Sequence, residues 1–267
     1  MKYDIGLIGA GKMGGAILSA IVRGGTPKDA ALVCDARREA LDPFVREGIA
    51  ATDDPVCVAR ECKTIFLAVK PQDFDSLLAR VAPALKKTQL VVSIAAGKSL
   101  ATMRGGLGPK PRLIRVMPNL AARVGEGVMA YAPDASATAA DVKRAEALLS
   151  CCGVAMRLDE SLFDAVTALS GSGPAFFAYA LKAMADGGAA LGFGKEESAA
   201  IALQTMLGTA KYLAETKQDF DAFIKAVCSP KGTTEAGMKV LERSSVAPTF
   251  AKTLAAAAKR SAELAKS

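Results

Sequence analysis

The sequence contains no histidine. That absence removes the usual general base of a Ser-His-Asp nucleophile and the imidazole ligands of most zinc sites. Its six cysteines, Cys34, Cys57, Cys62, Cys151, Cys152 and Cys228, never fall at C-x-x-C spacing, so they read as buried thiols and no metal site is expected. No uncharged apolar run approaches the roughly eighteen residues needed to cross a bilayer. The N-terminal KYDIGLIGAG enters a strand pattern at once, without the basic segment, apolar stretch and cleavage site of a secretory signal. The expectation is a cytoplasmic protein with no membrane partner. Aromatic residues make up 5% of the chain, too few for a base-stacking platform. The net charge of +7 is spread among interleaved acids, which reads as a solvated surface, suited to an acidic ligand and not to nucleic acid.

What remains is a chain of 267 residues, 51% hydrophobic, long enough for two modest domains. The segments DIGLIGAG, ALVCD, TIFLAVKPQ, LVVSIAAG and PRLIRVMPN read as strands, most of them separated by helical segments, and GEGVMAYAP and GVAMRLDE are later strand candidates. Val/Ile/Leu-rich strands alternating with helices predict an α/β fold: a doubly wound, mostly parallel sheet covered on both faces. Past residue 160 the strand patterns vanish and alanine-rich helical runs take over. The expected division is 1–160, a Rossmann-type dinucleotide-binding domain, and 161–267, an all-α domain. Helices this apolar on several faces need more than one neighbour.

The segment IGLIGAGKMGGAIL places Gly9, Gly11 and Gly14 in G-x-G-x-x-G register between a strand and a helix. The first glycine permits the tight turn, the second lets backbone approach a pyrophosphate, and the third lets helix pack on strand. The second strand ends at Cys34-Asp35, about where an acid meets the ribose hydroxyls of NAD. Arg37 and Arg38 follow immediately and suit the 2′-phosphate of NADP. The two signals conflict; the guanidinium pair favours NADPH over NADH. AVKPQ and SIAAG then stand at the carboxyl ends of later strands, where an open sheet holds its ligand, with Lys70 fixed before a proline.

In ALSGSGPAFF, Ser170 and Ser172 each precede a glycine and Pro174 follows. A nucleophilic serine lacks histidine here, leaving only a formal Ser-Lys pair. The physical alternative makes Pro174 the first turn of a helix whose bare N–H groups and flanking hydroxyls hold an anionic or carbonyl-bearing ligand. A tight serine-capped loop is the bland third reading.

With IGLIGAGKMGGAIL, FLAVKPQ, VVSIAAG, RVMPN, ALSGSGPAFF, MADGGAALG and VCSPKGTTEAGMKVLE in this order, nearly the whole chain resembles pyrroline-5-carboxylate reductase. The resemblance implies reduction of 1-pyrroline-5-carboxylate to L-proline with NADPH or NADH, the last step of proline biosynthesis, by a homodimer or an assembly of dimers formed through a C-terminal all-α substrate-binding and dimerisation domain. It implies a dinucleotide site at Gly9, Ala10, Gly11, Lys12, Met13, Val69, Lys70 and Ala96. Cys34, Asp35 and Arg37 fall at the adenosine end and Asn119 beside the nicotinamide. It places substrate at Ser170, Gly171, Ser172 and Gly173 and at Ser229, Gly232, Thr233 and Thr234, with Ser170 and Thr234 the catalytic assignments.

Three departures accompany it. Leu120-Ala121-Ala122 follows Met117-Pro118-Asn119 where the family commonly reads MPNTPA, Lys231 replaces the first glycine of SPGGTT, and Ala50 stands at a frequent asparagine. Lys231 matters if that position is left-handed, which a lysine adopts only at a cost; in an ordinary conformation nothing is lost. An imine arrives protonated as an iminium, so a strong general acid is dispensable and SGSGP reads as a substrate-binding segment whose serines donate hydrogen bonds. Two rivals remain, a β-hydroxyacid dehydrogenase and a non-catalytic dinucleotide-binding protein. Against the first, Lys182 has Ala178 and Asp186 at four-residue steps and reads as one half of an i,i+4 ion pair.

Overall fold

Eight short runs of branched and aliphatic residues pair into one sheet: β1 (Tyr3–Ile8), β2 (Ala31–Cys34), β3 (Ala50–Thr52), β4 (Cys62–Leu67), β5 (Leu90–Ser93), β6 (Arg112–Met117), β7 (Gly127–Pro133) and β8 (Gly153–Arg157). The structure is a computed structural model in which residues 1–265 are described. The strand order is β3-β2-β1-β4-β5-β6-β7-β8, parallel throughout except between β6 and β7. The order reverses between β1 and β4, and a doubly wound sheet opens its ligand crevice at such a point. The sheet is α/β and mostly parallel, as the alternation of strands and helices predicts.

Helices α1 (Lys12–Arg23), α2 (Arg38–Arg46), α3 (Pro55–Glu61), α4 (Pro71–Val81), α5 (Leu100–Leu107) and α6 (Ala139–Ser150) cover it. Side chains alternate across a strand, so Ile5, Leu7, Phe66 and Val92 meet α1, α2 and α6 on one face. Ile8, Ile65, Leu67 and Val91 meet α3, α4 and α5 on the other. Local signals start these helices: Pro71 opens α4, Ser99 caps α5, and Thr138 with Asp141 forms a capping box on α6. β3 is only AAT and was not foreseen, nor were α3 and α5; three small residues carry no period that a pattern can detect. After β8, α7 (Phe163–Val166) runs into a π-helical turn at Thr167–Gly171.

The described residues form two compact units. One comprises Met1–Ser172 together with the chain from Ala257, and the other is Gly173–Ala256. The second is all helix: α8 (Gly173–Ala190), α9 (Lys195–Thr216), α10 (Phe220–Val227), α11 (Thr233–Arg243) and most of α12 (Val246–Leu264). α8 and α9 pack closely where Gly188 faces Ser198, whose hydroxyl donates to the Ala185 carbonyl at 2.6 Å. The Lys182–Asp186 ion pair forms on the exposed side of α8.

Candidate functional site

The glycine loop follows β1 at the switch point. The Gly9 N–H donates to the Cys34 carbonyl and the Ala68 N–H to the Ile8 carbonyl, both at 2.8 Å, so three strand ends are tied together. Gly9 has φ 105°, and a Cβ there would stand 2.6 Å from the Ala68 carbonyl oxygen. At Gly14 a Cβ would meet the Gly9 oxygen at 2.2 Å and the Ala68 Cβ at 2.7 Å, which explains how closely α1 seats on the sheet. Gly11 differs: its added Cβ would meet only Arg37 Nη2, at 3.9 Å. It N-caps α1 without any side-chain cap. The first turn of α1 therefore presents bare N–H groups over a bare backbone, a cradle that fits a pyrophosphate.

A cleft of about 730 Å³ extends from this loop, lined among others by Gly9, Gly11, Cys34, Asp35, Arg37, Val69 and Lys70. Lys70 is extended before Pro71, as proline requires. Burial pushes the Cys34 thiol up to about 12, so it lines the cleft as an inert apolar surface. Ala10, Lys12, Met13 and Gly14 belong to the loop without lining the cleft: Lys12 is exposed, Met13 packs on the core and Gly14 is buried. Of the two arginines expected at the adenosine end, only Arg37 lines the cleft; Arg38 opens α2 and is exposed. Pattern reading missed Asp53, Asp73, Ser76 and Arg80, which also line it. The last three recur at helical spacing along one face of α4, a signal that was there to find.

Asp35 is the best-connected group of the site. It accepts from the Ala10 N–H at 2.8 Å, the Arg37 N–H at 2.9 Å, Arg37 Nε at 3.1 Å and Arg37 Nη2 at 3.2 Å. Burial would raise its carboxyl, but the bonds from Arg37 and Ala10 outweigh that and hold it below the usual carboxylate range.

Ala96 is exposed in the turn after β5, beside Gly97, where the Leu264 carbonyl and the Ala265 backbone end α12. Asn119 follows β6, nearly buried, its Oδ1 accepting from the Val128 N–H at 3.1 Å. Gly171 abuts this strand end: a Cβ on it would stand 3.0 Å from Met117 Cε. The fold thus brings the MPN and SGSG segments together. As the sequence suggests, SGSGP leads into a helix: α8 opens at Gly173 with Pro174 in its first turn. Ser172 is in the right-handed helical region and its N–H donates to the Thr167 carbonyl at 2.8 Å, so α7 and the π-turn form a nearly continuous helical path. Ser170 lies in the widened turn, and its hydroxyl oxygen is buried with no hydrogen-bond partner. A buried unpaired hydroxyl and a π-turn are both features associated with ligand sites.

Another helix start without a side-chain cap occurs at α11. There Gly232 caps the helix without a side-chain bond, and Thr233 and Thr234 occupy the first turn. The Gly232 N–H returns to the Ser229 carbonyl at 2.9 Å. Lys231 is left-handed, with φ 60°. Its N–H donates to the Glu235 carboxylate, which Lys239 also engages, and these bonds hold Glu235 below the usual range. Gly173 opens α8 and is buried in the second unit.

A glycine cradle at the switch point of a doubly wound sheet, with an all-helical unit attached, defines a Rossmann-type dinucleotide-binding protein. Residues 4–97 match the family described as NADP oxidoreductase coenzyme F420-dependent, and residues 160–264 the family described as pyrroline-5-carboxylate reductase dimerisation. The pyrroline-5-carboxylate reductase of Methanosarcina acetivorans is 39% identical over 272 residues, covering 99% of both chains. A solved pyrroline-5-carboxylate reductase from Coxiella burnetii superposes with a TM-score of 0.95 at 30% identity, again over 99% of both chains. A Plasmodium falciparum pyrroline carboxylate reductase solved with NADP bound gives 0.85 at 26%, over 99% of both. The chain belongs to the pyrroline-5-carboxylate reductase family.

Proposed function

We propose that this chain reduces 1-pyrroline-5-carboxylate to L-proline in the cytoplasm, as a homodimer or assembly of dimers, with NADPH preferred over NADH. The observation that carries the site reading is the buried, unpartnered hydroxyl of Ser170 in a π-turn packed on the end of β6. Bound NADPH supplies the hydride. The chain's own residues bind and orient. The first turn of α1 and the open face of Gly11 suit the pyrophosphate, Lys70 adds positive charge at the cleft, and Arg37 offers a guanidinium at its adenosine end. Within the sheet unit Ser170 offers the substrate a hydroxyl donor, and within the helical unit the bare first turn of α11, with Thr234, suits a carboxylate. No histidine is needed, because an iminium carries its proton when it arrives. Rate enhancement then comes from positioning and fixed donors.

The test is loss of the near-ultraviolet absorbance of reduced nicotinamide on adding pyrroline-5-carboxylate, run in parallel with NADPH and NADH. A higher kcat/KM with NADPH is expected. Absence of turnover with both nucleotides ends the reductase reading, and equal values end the preference.

A further inference from the structure

We infer that Asp35 sets cofactor preference indirectly: it holds the Arg37 guanidinium over the cleft as a receptor for a 2′-phosphate and does not serve ribose hydroxyls itself. This rests on the dinucleotide reading above. An acid at the end of the second strand ordinarily accepts from the ribose, and by its charge it disfavours a 2′-phosphate. Here that capacity is taken. A carboxylate offers about four lone-pair positions, and Asp35 already accepts four hydrogen bonds, one from Ala10 and three from Arg37. A ribose hydroxyl has to displace one of them.

Arg37 is in the opposite condition. Its guanidinium has five N–H donors, and Asp35 occupies only Nε and one side of Nη2. No acceptor among the described residues meets Nη1. The Arg37 side chain is 66% exposed while that of Asp35 is 9% exposed, so the acid is the anchored partner and the guanidinium faces outward. Arg37 Nη2 also stands nearest to the open face of Gly11, at the edge of the cradle. Arg38 does not line the cleft and supplies no substitute. A fixed planar fork loses less freedom on binding a phosphate than a loose arginine does, which is how the acid strengthens an anion site.

The test uses two fragments of the cofactors, 2′,5′-ADP and 5′-AMP, titrated by calorimetry into the full-length protein, its Asp35→Asn and Arg37→Ala variants and the double variant. Arg37→Ala should weaken 2′,5′-ADP about tenfold, the loss expected for a charge-assisted bond. Asp35→Asn should weaken 2′,5′-ADP several-fold and leave 5′-AMP unchanged. The double variant should be no worse than Arg37→Ala, because both changes act through one guanidinium. Tighter 2′,5′-ADP binding by Asp35→Asn, or a selective loss of 5′-AMP, makes Asp35 a ribose acceptor and overturns the inference. Because Arg37 is exposed, its variant keeps the fold, and an unchanged fragment ratio there overturns it too. Neither fragment carries a nicotinamide, so failure of the reductase reading leaves this measurement interpretable.

Discussion

Ser170 and Lys231 carry opposite kinds of local expense, and each makes a prediction. The Ser170 hydroxyl is buried without a partner, which costs the free protein about 1 kcal/mol or more. Ser170→Ala should therefore raise the melting temperature of the ligand-free protein while lowering kcat/KM for the imine without abolishing turnover. Opposite signs in two assays separate a ligand-binding hydroxyl from a structural one. A folded Ser170→Ala protein with no activity at all points back to covalent chemistry. Lys231 sits at φ 60°, which costs a residue with a Cβ about 1–2 kcal/mol. Glycine removes that cost but gives back about half of it through greater freedom in the unfolded chain. The bond to Glu235 comes from the Lys231 backbone N–H, which glycine keeps. Lys231→Gly should thus stabilise by up to about 1 kcal/mol in denaturant titration, and destabilisation would show that the lysine side chain supports the loop.

At the scale of elements, the carboxyl end of α5 and the end of β7 are joined by one side chain. Arg104 donates through Nη1 to the Gly108 and Pro111 carbonyls and through Nη2 to Asp134 at 2.9 Å and Ser136 at 2.7 Å. Burial pushes Asp134 up, but the Ser136 and Arg104 bonds prevail and its carboxyl titrates below its ordinary 3.8. A carboxyl lowered on folding stabilises above its unfolded value and loses that contribution as pH falls through the folded one. Asp134→Asn should be less stable than the parent at neutral pH, and the gap should shrink as the solution is acidified below about pH 4. A gap independent of pH would mean that the carboxylate charge contributes nothing. Elements of this kind divide sharply in how far sequence exposes them. The glycine loop was legible because Gly9 and Gly14 answer local steric needs and Gly11 leaves the face of the cradle open. Asp35 was visible as an acid after β2, but its four bonds depend on where the Ala10 loop and Arg37 arrive in space. The π-turn at Thr167–Gly171 was hidden because Pro174 and two glycines look like a loop feeding a helix, whereas the backbone stays right-handed at Val166 and Ser172 on either side of the turn.

For the whole molecule, the distribution of apolar surface decides the remaining question. The sheet unit buries two full aliphatic clusters. In Gly173–Ala256 only Gly173 and Ser198 are buried, while Tyr179, Leu191 and Phe220 are 76%, 86% and 70% exposed. A set of five helices that buries one glycine and one serine has no core of its own and cannot offset the entropy of ordering its backbone. Exposed apolar patches of this extent mark an interface, and the match of residues 160–264 to the family described as pyrroline-5-carboxylate reductase dimerisation supports oligomerisation. Folding of this unit should therefore be coupled to association. For a dimer whose protomer does not fold fully alone, each tenfold rise in protein concentration adds about 1.4 kcal/mol to apparent stability. The melting temperature should climb steadily across a hundredfold dilution series, and light scattering at the concentrated end should give a mass of two chains or an even multiple. A melting temperature that stays constant over the series, with the mass of one chain throughout, would require the helical unit to be stable with its apolar faces in water, and the assembly proposal would fall.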